Sequence, residues 1–180
     1  MQWRLAVAWE YPMDLGPWFH FLGAKDSQAR RIIQDSLVAI GIDVRPLDAP
    51  APSGDGILCF SDIDQGLLEF LREVSRNGGE RVLAIPVPDA VIDGAQAWEL
   101  LRAGASDVLA WSSAPDIAER IKARFERWRA VDTLVQSPQI QDKLIGVSPV
   151  WRSVLRQIVE VARFTSASIG PRGEVSERQR

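Results

Sequence analysis

The amino-acid sequence predicts a doubly wound α/β domain built on a five-stranded parallel sheet, with a helical extension at its C-terminal end. Two observations carry this expectation. Short apolar runs alternate with segments of helical periodicity, and the runs are continuous rather than polar-alternating, as in strands covered on both faces. The glycines and prolines between them fall where elements should end, at Gly41, at Gly54 and at Asn77-Gly78-Gly79.

Taken in order, Leu5-Ala6-Val7-Ala8-Trp9 is an apolar run too short for a helix and reads as the first strand. Tyr11 to Asp26 holds prolines and glycines and reads as irregular chain. Ser27 to Ile40 places Ile32, Ile33, Leu37 and Ile40 at helical spacing and stops at Gly41. Ile42-Asp43-Val44 is the second strand, followed by a proline-rich loop to Gly54, and Gly56 to Phe60 is the third. Leu67, Leu68, Phe70, Leu71 and Val74 mark a helix closed by the glycines after Asn77. Val82 to Ile85 is the fourth strand, Ala95 to Ala103 a short helix, Val108 to Trp111 the fifth strand, and a long helix begins at Pro115. That order is flavodoxin-like. The division it suggests is a sheet domain over 1–130, a linker or continuing helix over 131–143, and a separate segment over 144–180.

Composition narrows the function classes. A length of 180 residues with 46% hydrophobic content suits one domain and an appendage. A net charge of −3 and a pI near 5.3 supply no basic footprint for nucleic acid. Cys59 is the single cysteine and lies in the apolar run Ile57-Leu58-Cys59-Phe60, so it reads as a packed strand residue without disulfide or thiolate-metal chemistry. His20, in Trp18-Phe19-His20-Phe21, has no second histidine to share a metal and reads as loop packing. No cofactor and no metal site are expected. Neither a signal peptide nor a run long enough to span a membrane stands out, and a cytoplasmic location is expected.

The segment from Leu144 carries the most specific motif. Leu144-Ile145-Gly146-Val147-Ser148-Pro149 is followed by an apolar stripe of Trp151, Val154, Leu155, Ile158, Val161 and Ala162 at three- and four-residue steps. Ser148 suits an N-cap and Pro149 a first helical turn. Ser166-Ala167-Ser168-Ile169 then leads into Arg172-Gly173-Glu174. This succession resembles the entry to the AAA+ ATPase domain of sigma-54-dependent, NtrC-type enhancer-binding regulators. In that family a glycine-rich phosphate loop ending in Gly-Lys-Glu comes next. Here only Gly173 and Glu174 match, and Val175-Ser176-Glu177-Arg178-Gln179-Arg180 follows without the further glycines or the lysine that surround a nucleotide phosphate. A resemblance that stops inside a motif suggests a frameshift, with an artificial boundary or natural short tail as the alternative. The resemblance implies an AAA+ domain and sigma-54 RNA polymerase as partners of full-length relatives. The truncated chain would lack ATPase activity and a DNA-binding helix-turn-helix.

The preceding domain resembles a response-regulator receiver, most closely over Leu100-Leu101-Arg102-Ala103-Gly104-Ala105-Ser106-Asp107-Val108-Leu109. What that resemblance implies chemically is missing at four positions. Receivers hold Mg²⁺ with acidic residues after the first strand, because a hard cation needs oxygen ligands; here that position reads Trp9-Glu10, leaving Glu10 as a remnant. The phospho-accepting aspartate aligns with Phe60, or with Ser61 after a one-residue slip. Asp62 and Asp64 lie just beyond, either substituting for it or capping the next helix. The switch hydroxyl aligns with Pro86 and the phosphate-binding lysine with Trp111 or Ser112. These departures describe a pseudo-receiver.

Two further expectations come from the residues themselves. Trp9, Trp18 and Trp111, placed near the C-terminal edge of the sheet, either line a small-molecule signal pocket with Glu10 or fill space. Ile117, Ile121, Phe125, Trp128, Val131 and Val135 form a stripe on the long helix that outlasts the sheet, which predicts a homodimer through Phe125, Trp128 and Val131. The leading function is a regulatory, non-enzymatic module of a sigma-54-dependent activator. The alternatives are a receiver phosphorylated at Asp62 or Asp64 and a stand-alone dimeric ligand-binding module. The segment from Leu144, lacking the rest of its domain, is expected to be mobile or to pack adventitiously.

Overall fold

A computed structural model describes residues 16–23, 27–47, 54–76, 79–87, 90–143, 146 and 148–165. The chain divides into two compact units, Met1–Ile121 and Lys122–Arg180, with the boundary inside the long helix.

The first unit is an α/β sheet domain. Its strands are β1 (Trp18–Leu22), β2 (Arg45–Pro46), β3 (Gly56–Phe60), β4 (Val82–Pro86) and β5 (Asp107–Val108), all parallel, in the order β2-β1-β3-β4-β5. This is the doubly wound order that the sequence predicts. The helices of this unit are α1 (Ser27–Ala39), α2 (Gln65–Ser75), α3 (Gly94–Ala103) and the first part of α4 (Ala114–Val135). Nine residues, 47–55, connect β2 to β3, fewer than a crossover helix with its turns usually takes.

The first described strand falls on a stretch that the pattern reads as irregular. Trp18–Leu22, read from sequence as irregular, is β1; the run Leu5–Trp9 lies outside the described residues. Prolines and glycines on either side had masked a five-residue aromatic strand. Its Trp18-Phe19-His20-Phe21 composition is strongly β-forming once a neighbouring strand supplies a face to cover. The second strand is displaced to Arg45–Pro46, where Pro46 is tolerated because β2 is an edge.

Burial follows the strand alternation. Trp18, Leu58, Phe60, Val82 and Ala84 share a cluster with Leu67, Leu71 and Val74 of α2 and Leu100 and Ala103 of α3. The period of two puts Phe19, Ile57, Cys59, Leu83 and Ile85 on the opposite face. The other buried apolar residues of the unit, Ile33 and Leu37 of α1 and Ile117, Ala118 and Ile121 of α4, complete the core. Every residue of β3 and β4 is buried.

Local signals set the helix ends. Asp93 caps α3 by accepting from the Gln96 N–H at 2.8 Å while its own N–H donates to Gln96 Oε1 at 3.0 Å, a capping box. Gly104 ends the helix at φ +119, a conformation that glycine supplies without a Cβ penalty. α2 ends differently from expectation: Arg76, not a glycine, takes the left-handed position at φ +48.

At the N-terminal edge of the sheet, Trp18 packs directly over Gly56, and its Nε1 donates to Gly54 O at 3.1 Å. A Cβ on Gly56 would lie inside the indole ring. Gly56→Ala is therefore expected to lower stability by about 1–3 kcal/mol through overpacking, read as a lower urea midpoint at unchanged slope.

The second unit is a helical pair. The rest of α4 is followed by a short α5 (Pro138–Gln141) and by α6 (Pro149–Thr165). Val131, Val135 and Leu155 form its buried cluster, with Ile140, Val159 and Phe164 against them. The Trp151 N–H donates to Ser148 Oγ at 3.1 Å, the cap that the sequence suggests. So α6, the described part of the segment from Leu144, packs against α4 through Leu155. Its docked side is not the apolar stripe read from the sequence either: Leu155 is buried, whereas Val154, Ile158 and Val161 are exposed.

Candidate functional site

In an open parallel sheet, ligands bind where the strands end at their carboxyl edge. The register fixes which residues stand there. Leu22 of β1 pairs with Phe60 of β3, and Phe60 pairs with Pro86 of β4. All three are apolar, Phe60 is 1% exposed, and Pro86 is buried. Glu10, assigned from sequence to the end of the first strand, lies outside the described residues; Leu22 and Gly23 stand at that end instead.

The loops just beyond these positions close on one another. Ser61 N–H donates to Leu22 O at 3.2 Å and Val87 N–H to Phe60 O at 2.9 Å, which extends the ladder past the strand ends. Gly23 sits at φ +129 against the Ser61 side chain, where any Cβ would collide with its hydroxyl. Gly23 and the Ser61 side chain are therefore in direct contact just beyond the ends of β1 and β3.

Of the two carboxylates, Asp64 is a helix cap: its Oδ1 accepts from the Leu67 N–H at 2.8 Å at the start of α2. Asp62 is exposed and accepts from Ser61 Oγ at 2.8 Å. Among the described residues, no group of three or more His, Cys, Asp or Glu side chains is gathered to hold a metal. After β5, Trp111 is half-buried, Ser112 Oγ contacts Asp116, and Arg120 Nη1 donates to Ala110 O at 2.9 Å. Arg120 therefore ties α4 to the end of β5, a contact that sequence spacing alone did not reveal.

Trp18 corrects a second expectation. It begins β1 and so lies at the N-terminal edge, fully buried, away from Trp111. Trp9 lies outside the described residues, so no aromatic pocket assembles from the three among those described. Cys59 is fully buried, and burial pushes its thiol far above the usual range, which makes it an inert core residue.

His20 is a strand residue rather than part of a loop, and its ring stacks on Phe70 with centroids 5.0 Å apart. Burial, and secondarily the nearby Arg30 charge, hold its pKa below 6.5. The unfolded chain then binds more protons than the folded one below that value. The stability this contributes is present above pH 6.5 and is lost as pH falls through the folded value. Urea unfolding at about pH 8 and about pH 5 is expected to show the parent losing more stability than His20→Phe.

Phe125, Trp128 and Val131, assigned from sequence to a dimer contact, are 4%, 2% and 0% exposed within a single chain. The ring of Phe125 meets that of Trp128 edge-on at 5.5 Å, and Val131 packs with Val135 and Leu155. All three are thus withdrawn from water within one chain, and for Val131 the cover includes Leu155 of α6. Trp128→Asp would bury an unpaired carboxylate at a cost of several kcal/mol. The expected outcome is a depressed thermal transition, rather than a folded chain eluting at half the parent mass.

No helix among the described residues is long and apolar enough to cross a membrane. The chain matches no protein-family model, no curated protein and no solved structure.

Proposed function

We propose that the sheet domain is a regulatory module that does not take up phosphate at a strand-end aspartate, and that it acts as the signal-receiving part of a sigma-54-dependent activator. The observation that carries the first half is the row Leu22, Phe60 and Pro86 across the carboxyl edge. Phosphoryl transfer to a carboxylate in this fold needs oxygen ligands for a divalent cation, an acceptor oxygen and a hydroxyl or cation to follow the new charge. An apolar row supplies none of these. Asp64 is engaged as a cap and Asp62 projects into solvent beyond the row. The second half rests on the resemblance of the segment from Leu144 to the entry of an AAA+ domain. The ordered α6 beginning at Pro149 supports it, because this is the helix that the motif implies.

In this reading the module has no enzymatic activity of its own. Its output passes through α4, the helix that begins on the sheet domain and ends in the second unit. Incubation with a small-molecule phosphodonor and Mg²⁺ is expected to leave the intact mass unchanged in both the parent and Asp62→Asn. A phosphoryl adduct on the parent that Asp62→Asn abolishes would instead establish the receiver reading.

A further inference from the structure

The second unit contains a helix docked by the side that sequence hydrophobicity would not choose. On α6, Val150, Val154, Ile158 and Val161 are 75%, 41%, 54% and 60% exposed. Gln157, Ala162 and Arg163 are exposed as well. The inward side buries one apolar residue fully, Leu155, with Val159 and Phe164 partly covered. The same side carries the ionic contacts. Arg156 Nε donates to Asp132 Oδ1 of α4 at 2.8 Å. Glu160 Oε1 lies 2.9 Å from Arg127 Nε and 3.7 Å from Arg124 Nη1, charge contacts in which the Arg127 N–H is not aligned for a hydrogen bond. The Arg127 guanidinium also lies 4.2 Å over the Phe164 ring.

Burial scales with apolar area, so hydrophobic docking alone would rotate α6 to bring Val154, Ile158 and Val161 onto α4. The observed rotation keeps them out and brings Arg156 and Glu160 in. Both pairs are partly shielded from water, with side-chain exposures between 19% and 35%, and they span more than one helical turn. Partly buried charged contacts outweigh exposed ones, and two of them spaced along a helix define its rotation as well as its attachment.

We infer that α6 is held on α4 by a charge latch, Glu160 to Arg124 and Arg127 and Arg156 to Asp132, which sets the rotation of α6 and lets the helix go when the charges are screened or neutralised. The latch is a conformational device of the second unit and does not depend on the proposed function. It places a releasable joint at the end of α4, where a change in one helix becomes a change in the freedom of the next.

Hydrogen exchange on the full chain tests it. In Glu160→Gln, amides of 152–163 are expected to exchange about tenfold faster than in the parent, the loss of one charge-assisted contact. In the parent, raising salt to about 1 M, where the screening length falls to roughly 3 Å, is expected to do the same. Amides of β3 and β4 report on global stability and should not change in either case. Asp132→Arg alone should also speed exchange in α6, and adding Arg156→Asp should slow it again by restoring the pair in reverse. Exchange in α6 that stays within twofold of the parent in Glu160→Gln and at high salt overturns the latch. So does acceleration of β3 and β4 to the same degree, or failure of the reversed pair to restore protection.

Discussion

The structure of the first unit depends on the two-sided burial of β3 and β4. Every side chain in these ten positions is withdrawn from water, so each strand must be covered above and below by helices. Parallel strands cannot be joined by tight turns, so α1, α2 and α3 connect β1 to β2, β3 to β4 and β4 to β5 while covering the sheet, whose order is β2-β1-β3-β4-β5. The same constraint reaches the edge where such folds hold ligands. β1, β3 and β4 run in register over five residues, so Leu22, Phe60 and Pro86 arrive at one level. What stands at that level is decided by strand register rather than by any loop, and here it is hydrocarbon.

Much of this was legible in sequence, for physical reasons that also mark where legibility stops. Gly56–Phe60 and Val82–Pro86 are continuous apolar runs bounded by turn residues, and both are found within one residue of expectation. α1, α2 and α3 announce themselves by spacing, with Gly41 and Asp64 near the ends of the first two; the Asp93 and Gly104 caps of α3 emerge from the structure. β1 was missed because Pro12, Pro17, Gly16 and Gly23 surround it, and the weight given to those breakers hid a strand whose aromatic residues pack only in tertiary context. With β1 at Trp18–Leu22, Leu22 and Gly23 stand at the strand end, and among the described residues no group of three or more His, Cys, Asp or Glu gathers there.

The stripe on α4 illustrates a different limit. Periodicity identified Phe125, Trp128 and Val131 correctly as residues requiring cover, and their burial confirms that need. It did not say whether the cover comes from another copy or from the same chain, since a hydrophobic stripe is indifferent to the covalent origin of its partner. The turn after Val135, where Ser137 Oγ donates to Leu134 O at 2.6 Å and Gln141 Nε2 to Val135 O at 2.7 Å, brings the chain back within reach. Those two contacts are side chain to carbonyl at a helix end, a pattern too common to be read as a reversal beforehand.

The reverse error occurs on α6. There the apolar periodicity is stronger than on α4, and a reading by burial alone selects the wrong face. Charge settles the rotation because its partners are specific in a way that hydrocarbon is not: Glu160 finds Arg124 and Arg127, one turn apart on α4, while Arg156 finds Asp132. Neither partner set follows from spacing within α6, since the matching residues lie 24 to 36 positions earlier in the chain. A helix in this condition has two usable faces, one ionic and engaged, one apolar and open to solvent. Its position is therefore a balance between contacts of different physical kind, and the two respond oppositely to salt: screening weakens the ionic face, whereas exclusion of salt from apolar surface favours burying the other. The direction in which α6 responds to ionic conditions is thus set by which face holds it.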